Sequence, residues 1–292
     1  MKRIVKSLNK AVDLMVLILL VAAVGLAVFL QVDSNRYFED ASATKYAGFN
    51  PNFDEEAFHR LQAENPDVLG WISLDGTAIS YPVVQHSEDN SYYLNRDATG
   101  APSASGSIFL DVYSSPDFAD FNSLIYGHYM EEHAMFGDLK LFRDADFLET
   151  YGSGSLYFGG RPHGLQVLGF YEVSAYDKTV YTPHVQGAER RSWLAHLKEL
   201  AVLTKEEPQE SDRLILLSSC AEDISGGRYA LLCRLTDEVP EGFEGRNSTS
   251  PRENTLAERL EKISGVQWAA LLLILILATA ALYRYVMRKG KA

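Results

Sequence analysis

Positive charge is scarce in the middle of this chain. Its 292 residues hold 27 Lys and Arg against 39 Asp and Glu. Eight of the cations flank the two ends: Lys2, Arg3, Lys6 and Lys10, then Arg284, Arg288, Lys289 and Lys291. Only Asp13 among the acids lies outside residues 33–263, so that stretch carries 19 cations and 38 acids, a net charge near −19. Such a surface has no footprint for contacts with nucleic-acid phosphates, and anionic surfaces repel it at low salt. Cysteine is scarcer still. Cys220 and Cys233 are the whole supply, enough for one disulfide at most. They read either as that bridge or as a reactive thiol and a buried one, and Cys233, inside "YALLCRL", suits a small buried hydrophobe. No internal repeat is visible. No zinc set is complete either: His128 and His133 are not one helical turn apart, and no Cys or carboxylate arrangement joins them.

Two runs lack charge altogether. Residues 14–32 read "LMVLILLVAAVGLAVFLQV", and residues 266–283 read "VQWAALLLILILATAALY". Each approaches the ~20 residues a helix needs to cross a bilayer core. The first is too long for a signal-peptide core and no small-residue cleavage site follows it. Cations on both outer flanks put both termini in the cytoplasm and the intervening residues outside.

Between the runs, short strand-like pieces alternate with turns. "FDEEAFHRLQAEN" predicts a helix capped by Asn52, with Phe53, Ala57, Phe58 and Leu61 on one face. "VLGWISL", "ISYPVVQ", "GSIFLDV" and "FNSLIYGH" predict strands. "GSLYFGG" and "GLQVLGFYEVSAY" predict a hairpin turning at Arg161-Pro162-His163-Gly164. Residues 189–203 predict a helix, with Trp193, Leu194, Leu197 and Leu200 at helical spacing. Many short strands with few helices predict a mainly β barrel or sandwich.

"LILLSSCAEDISGGRYALLCRL", residues 214–235, carries the chemistry. Cys220 ends one apolar strand and Arg228 opens the next. A thiolate is the nucleophilic form of cysteine. A histidine nearby can favour it and protonate a leaving amine, and a guanidinium can hold an oxyanion. His128, just after "SLIYG", is the candidate histidine. Taken singly, these three read better as an ordinary buried thiol, a loop histidine and a strand cation than as catalytic groups.

Taken together, the segments resemble a known family, the class B sortases. "LLSSC" resembles the T-L-x-T-C motif, "RYALL" the segment of the family arginine, and "IYGHYMEEHAMFGDL" the stretch holding the family histidine. "NPDVLGWISLDGTAISYPVVQHSEDNSYYL", residues 65–94, resembles the amino-terminal half. Leu216 and Ser219 depart from the two threonines of the motif, the Cys-to-Arg loop is short, and no class C lid motif precedes the first strand. The resemblance implies a sortase-type β-barrel with peripheral helices, here flanked by two transmembrane helices. The domains are then a basic tail (1–13), an anchor (14–32), a stalk (33–51), the catalytic domain (52–236), a linker (237–262), a transmembrane helix (263–283) and a basic tail (284–292).

The implied activity is a cysteine transpeptidase of the Gram-positive cell membrane, needing no cofactor or metal. It would cleave a sorting motif in secreted proteins through an acyl-thioester and transfer the acyl group to an amine of cell-wall precursor or, in pilus assembly, of a pilin subunit. Cys220, His128 and Arg228 would be catalytic. Asn90, Leu94, Tyr126, Ser218, Ser219 and Glu222 would bind substrate. The alternatives are a thiol hydrolase using the same residues and a non-catalytic membrane scaffold module.

Overall fold

Strand β8 (Leu214–Cys220) shows how this sequence builds its fold. Ile215 and Leu217 join the main core, while Leu214 and Leu216 join a second cluster with Trp193 and Leu197. Alternate side chains leave opposite faces of a strand. Both faces of β8 are therefore covered, which is why it reads as a continuous apolar run. Its neighbour β9 (Gly227–Thr236) does the same, with Leu231 and Cys233 on one side and Ala230 and Leu232 on the other.

The computed structural model describes residues 2–52, 54–131, 133–220 and 226–239, with positions 274, 277 and 278. Nine strands form one sheet. Before β8 and β9 come β1 (Val68–Leu74), β2 (Ser80–Val84), β3 (Ile108–Leu110), β4 (Asn122–Tyr126), β5 (Ser153–Phe158), β6 (Arg161–Ser174) and β7 (Ala201–Thr204). The order β5-β1-β2-β3-β4-β8-β9-β6 closes through β5–β6 into an eight-stranded barrel, and β7 extends it beside β6. Pairing is antiparallel except for β2–β3 and β4–β8, which are parallel. The mainly β expectation holds.

α1 spans Lys2–Ala41. In the barrel unit, α2 (Glu55–Glu64), α3 (Ala145–Thr150) and α4 (Glu189–Glu199) lie at the periphery. The cap of α2 is Asp54 rather than Asn52: its carboxylate accepts from the Ala57 N–H at 2.8 Å. Ala57, Phe58 and Leu61 are the buried face, as their spacing predicts. α4 stops at Glu199, four residues before the expected end, and Leu203 meets the main core from strand β7. Tertiary packing outweighs helical propensity there. The hairpin turns at Gly159-Gly160, both at positive φ, and not at residues 161–164. A two-residue loop with both φ positive matches the twist of the strands it joins, so Arg161, Pro162 and His163 enter β6 opposite Phe158, Tyr157 and Leu156.

The chain divides at Tyr37, with Met1–Arg36 in one unit and the barrel in another, Tyr37–Arg252. The segment read as a stalk is part of the barrel unit from there on. Ala41, Ala43 and Tyr46 are buried in its core, and the Tyr81 hydroxyl donates to the Ala41 carbonyl at 2.9 Å. Among the described residues, no helix is long and apolar enough to cross a membrane. In α1, which carries the first apolar run, the side chains of residues 1–11, 13, 28, 31–37 and 39 lie outside the description. The second run and most of the linker before it also lie outside the described residues.

Candidate active site

Parallel pairing of β4 with β8 aligns Tyr126 with Ser218, and the Gly127 N–H donates to the Ser218 carbonyl at 3.1 Å. His128 and Cys220 each stand two residues beyond that pair. The ladder therefore brings two residues ninety-odd positions apart to the same end of the barrel. On the other side, β9 runs antiparallel to β8 and Arg228 is the cross-strand partner of Cys220. Three chemistry-bearing residues thus converge on adjacent strand ends.

Local packing sets the approach. A Cβ on Gly127 would lie 2.5 Å from Ile108 and 2.7 Å from the Phe136 ring, so only glycine lets the chain pass between Tyr126 and His128. The His128 carbonyl accepts from the Phe136 N–H at 3.0 Å, and its Nε2 lies 2.8 Å from the Leu94 carbonyl oxygen. The side chain of Cys220 lies outside the description, as does Glu222 entirely.

The other predicted residues line one cavity of about 320 Å³: His128, Arg228, Asn90, Leu94, Tyr126, Ser218 and Ser219. That volume is at the lower end of the range for small-ligand clefts. Leu94 is 43 % exposed, so it faces the cavity mouth and not the core. Tyr126 is half-buried and packs against both core clusters while reaching the cavity. Burial, with the charge of Asp111 next in weight, pushes the Tyr126 hydroxyl well above its usual pKa, against a smaller opposing effect of Arg228. Tyr126 is therefore a neutral hydrogen-bonding group.

Sequence reasoning missed four lining residues: Phe109, Gly127, Ala175 and Tyr181. Tyr181 lies in the β6–α4 connection, and its hydroxyl is 3.0 Å from that of Ser218. No local motif marks it, because only the pairing of β6 with β9 carries the connection to the cavity. The cysteine alternatives are also resolved. Cys233 is a free, fully buried thiol whose pKa burial drives up. It pairs with Ile215, five strand positions before Cys220.

The comparisons with known proteins agree with this architecture. No family model matches the chain. The sortase B of Listeria monocytogenes is 31% identical over 202 residues, which span 68% of this chain and 80% of that protein. A crystal structure of sortase B from the type II pilus of Streptococcus pneumoniae is similar with TM-score 0.53 and 40% identity, covering 61% of this chain and 98% of its own. A Streptococcus pyogenes class B sortase involved in pilus biogenesis gives TM-score 0.57 and 30% identity, covering 62% and 98%. The chain belongs to the class B sortases, cysteine transpeptidases. As an enzyme of that family it is not a mere scaffold.

Proposed function

We propose that this chain is a membrane-anchored sortase that joins secreted proteins bearing a sorting motif to an amine. The observation that carries the proposal is the convergence of Cys220, Arg228 and His128 on neighbouring strand ends beside one cavity. The Cys220 thiolate attacks the scissile carbonyl carbon, and Arg228 balances the charge that develops on its oxygen. The C–N bond breaks as His128 gives a proton to the leaving amine, and an acyl-thioester remains. An acceptor amine then attacks the thioester, His128 takes a proton from its nitrogen, the C–S bond breaks to restore the Cys220 thiolate, and a new amide leaves. Asn90, Leu94, Tyr126, Ser218, Ser219 and Glu222 hold the sorting peptide.

A pilin subunit is the favoured acceptor over cell-wall precursor. The support is likeness to two streptococcal sortases described as pilus enzymes, one of them 40% identical. Membrane anchoring rests on the two uncharged runs and on exposed apolar side chains along α1, among them Leu14, Leu17, Leu19, Leu26 and Phe29. Water-exposed apolar residues in such number belong against lipid. The reading places both termini in the cytoplasm and the barrel outside.

The test uses the full chain in detergent, a pooled library of sorting-motif peptides and an amine acceptor. A thioester on Cys220 with an amide product, both lost in Cys220→Ala, supports the proposal. A thioester that only hydrolyses favours a thiol hydrolase, and no adduct with any peptide rejects the mechanism.

A further inference from the structure

Asp111 follows β3 and is only 5 % exposed. It does not line the cavity, yet it grips a residue that does, Asn90. Its Oδ2 accepts the Asn90 side-chain N–H at 2.8 Å, and its Oδ1 accepts the Tyr113 backbone N–H at 2.9 Å. The Asp111 charge is also felt at Tyr126, whose hydroxyl it helps keep protonated. The backbone around it is tied down as well: the Asp111 N–H donates to the Leu124 carbonyl at 2.8 Å, and the Asp111 carbonyl accepts from Gln85 at 2.8 Å.

The consequence falls on Asn90. Its Oδ1 accepts the Val112 N–H at 2.8 Å while its Nδ2 donates to Asp111. An amide can present either end when turned over, because its oxygen and nitrogen are nearly equal in shape. A carboxylate accepts hydrogen bonds and cannot donate them when ionised. Asp111 and Val112 together therefore permit one orientation of Asn90. An amide nitrogen carries two hydrogens, so after bonding Asp111 it keeps a second N–H at the cavity wall.

We propose that Asp111 is a positioning residue that locks Asn90 as a hydrogen-bond donor facing a carbonyl or side-chain amide oxygen of the sorting peptide. This rests on reading the cavity as the peptide-binding groove. Loss of Asp111 leaves the Asn90 amide held through its oxygen by the Val112 N–H but with its nitrogen untethered, so its second N–H is no longer fixed toward the peptide oxygen.

The experiment measures peptide transpeptidation by the full chain in detergent for wild type, Asp111→Asn, Asp111→Ala, Asn90→Ala and the Asn90→Ala/Asp111→Ala pair. Alkylation of Cys220 by iodoacetamide and the melting temperature are read alongside. Misplacing a binding group by about 1 Å can cost up to ~100-fold. Asp111→Ala is expected to lose about ten- to hundredfold in kcat/KM, chiefly through KM, with the alkylation rate unchanged. The double variant is expected to be no worse than Asp111→Ala alone, because both changes remove one function. Asp111→Asn keeps the side-chain shape and carries the test if Asp111→Ala fails to fold. Additive losses, a kcat/KM within twofold of wild type, or an alkylation rate that falls in step with peptide turnover would overturn the inference. Wild type forming no thioester with any peptide would instead overturn the reading of the cavity, and the inference with it.

Discussion

Arg228 faces Cys220 because β8 and β9 pair in unbroken register from Leu214↔Arg234 to Cys220↔Arg228. Its guanidinium is half-buried beside Tyr126 and Ser219. A planar guanidinium offers a forked set of donors, whereas a lysine ammonium is a point charge on a flexible stem. Arg228→Lys therefore keeps the charge and loses the geometry. A drop of about 100-fold or more in kcat/KM for peptide transfer is expected, the usual scale for one oxyanion-hole donor. Melting should stay near wild type, since the residue is not in the sealed core. Steady-state kinetics on the peptide found by the library assay would show it, and near-normal turnover would remove Arg228 from the mechanism. The resemblance already singled out His128, Cys220 and Arg228 in the sequence. Asp111 was not legible, because nothing in "GSIFLDV" says that a carboxylate after the strand will meet Asn90 twenty-one positions earlier.

At the scale of elements, α2 shows how closely a local pattern specifies a helix and where it falls short. Its buried face follows from helical periodicity, and Glu55 and Glu56 in the first turn complement the helix dipole. The cap depends on which side chain reaches a free backbone N–H, and Asp54 does so at 2.8 Å. Asp54→Ala should cost about 1 kcal/mol, or roughly 2–4 °C in Tm for a domain of this size. Thermal unfolding of the variant beside Asn52→Ala, whose effect should be smaller, would separate the two capping assignments. β6 makes the complementary point. Its 14 residues pair with β5, β7 and β9, so its first half and its last half hold different walls of the barrel. The turn before it needs two positive-φ residues, and Gly159-Gly160 meets that need more cheaply than Arg161-Pro162, since proline is held at negative φ.

For the whole molecule, acid stability should depend on a histidine far from the chemistry. His163 is buried, stacked on Phe158 with ring centroids 4.0 Å apart, and its Nδ1 has no hydrogen-bond partner. Burial, then the charges of Arg161 and Arg213, hold its pKa below the usual value, and Asp237 opposes them only in part. The unfolded chain, with an ordinary histidine pKa of about 6.5, then binds a proton that the folded chain refuses. Stability from this group is complete above pH ~6.5 and declines as the pH falls below it. Urea unfolding at several pH values should show that decline, and His163→Phe should flatten it below about pH 6.5. Equal slopes in both proteins would exclude His163 as the cause. The two proposed anchors make a topological prediction. External protease on intact cells should cut only within residues 33–263, sparing tags placed at either terminus. Digestion of either tag would reject the two-pass arrangement.

The order of the three motifs, the strands before and after Cys220, the buried face of α2 and the uncharged runs were all present in the sequence, because each is a short-range pattern of residue types. Periodicity and motif spacing act over one element or one turn. The tertiary structure alone decided the closure of β5 onto β6, the packing of Tyr46 and Ala41 into the barrel unit, the strand at Ala201–Thr204, and the meeting of Asn90, Asp111, Tyr126 and Tyr181 around one cavity. Each of these depends on pairing between segments far apart in the chain. Such pairings are selected by burial and hydrogen bonding across the whole barrel, and no local preference of the residues encodes them.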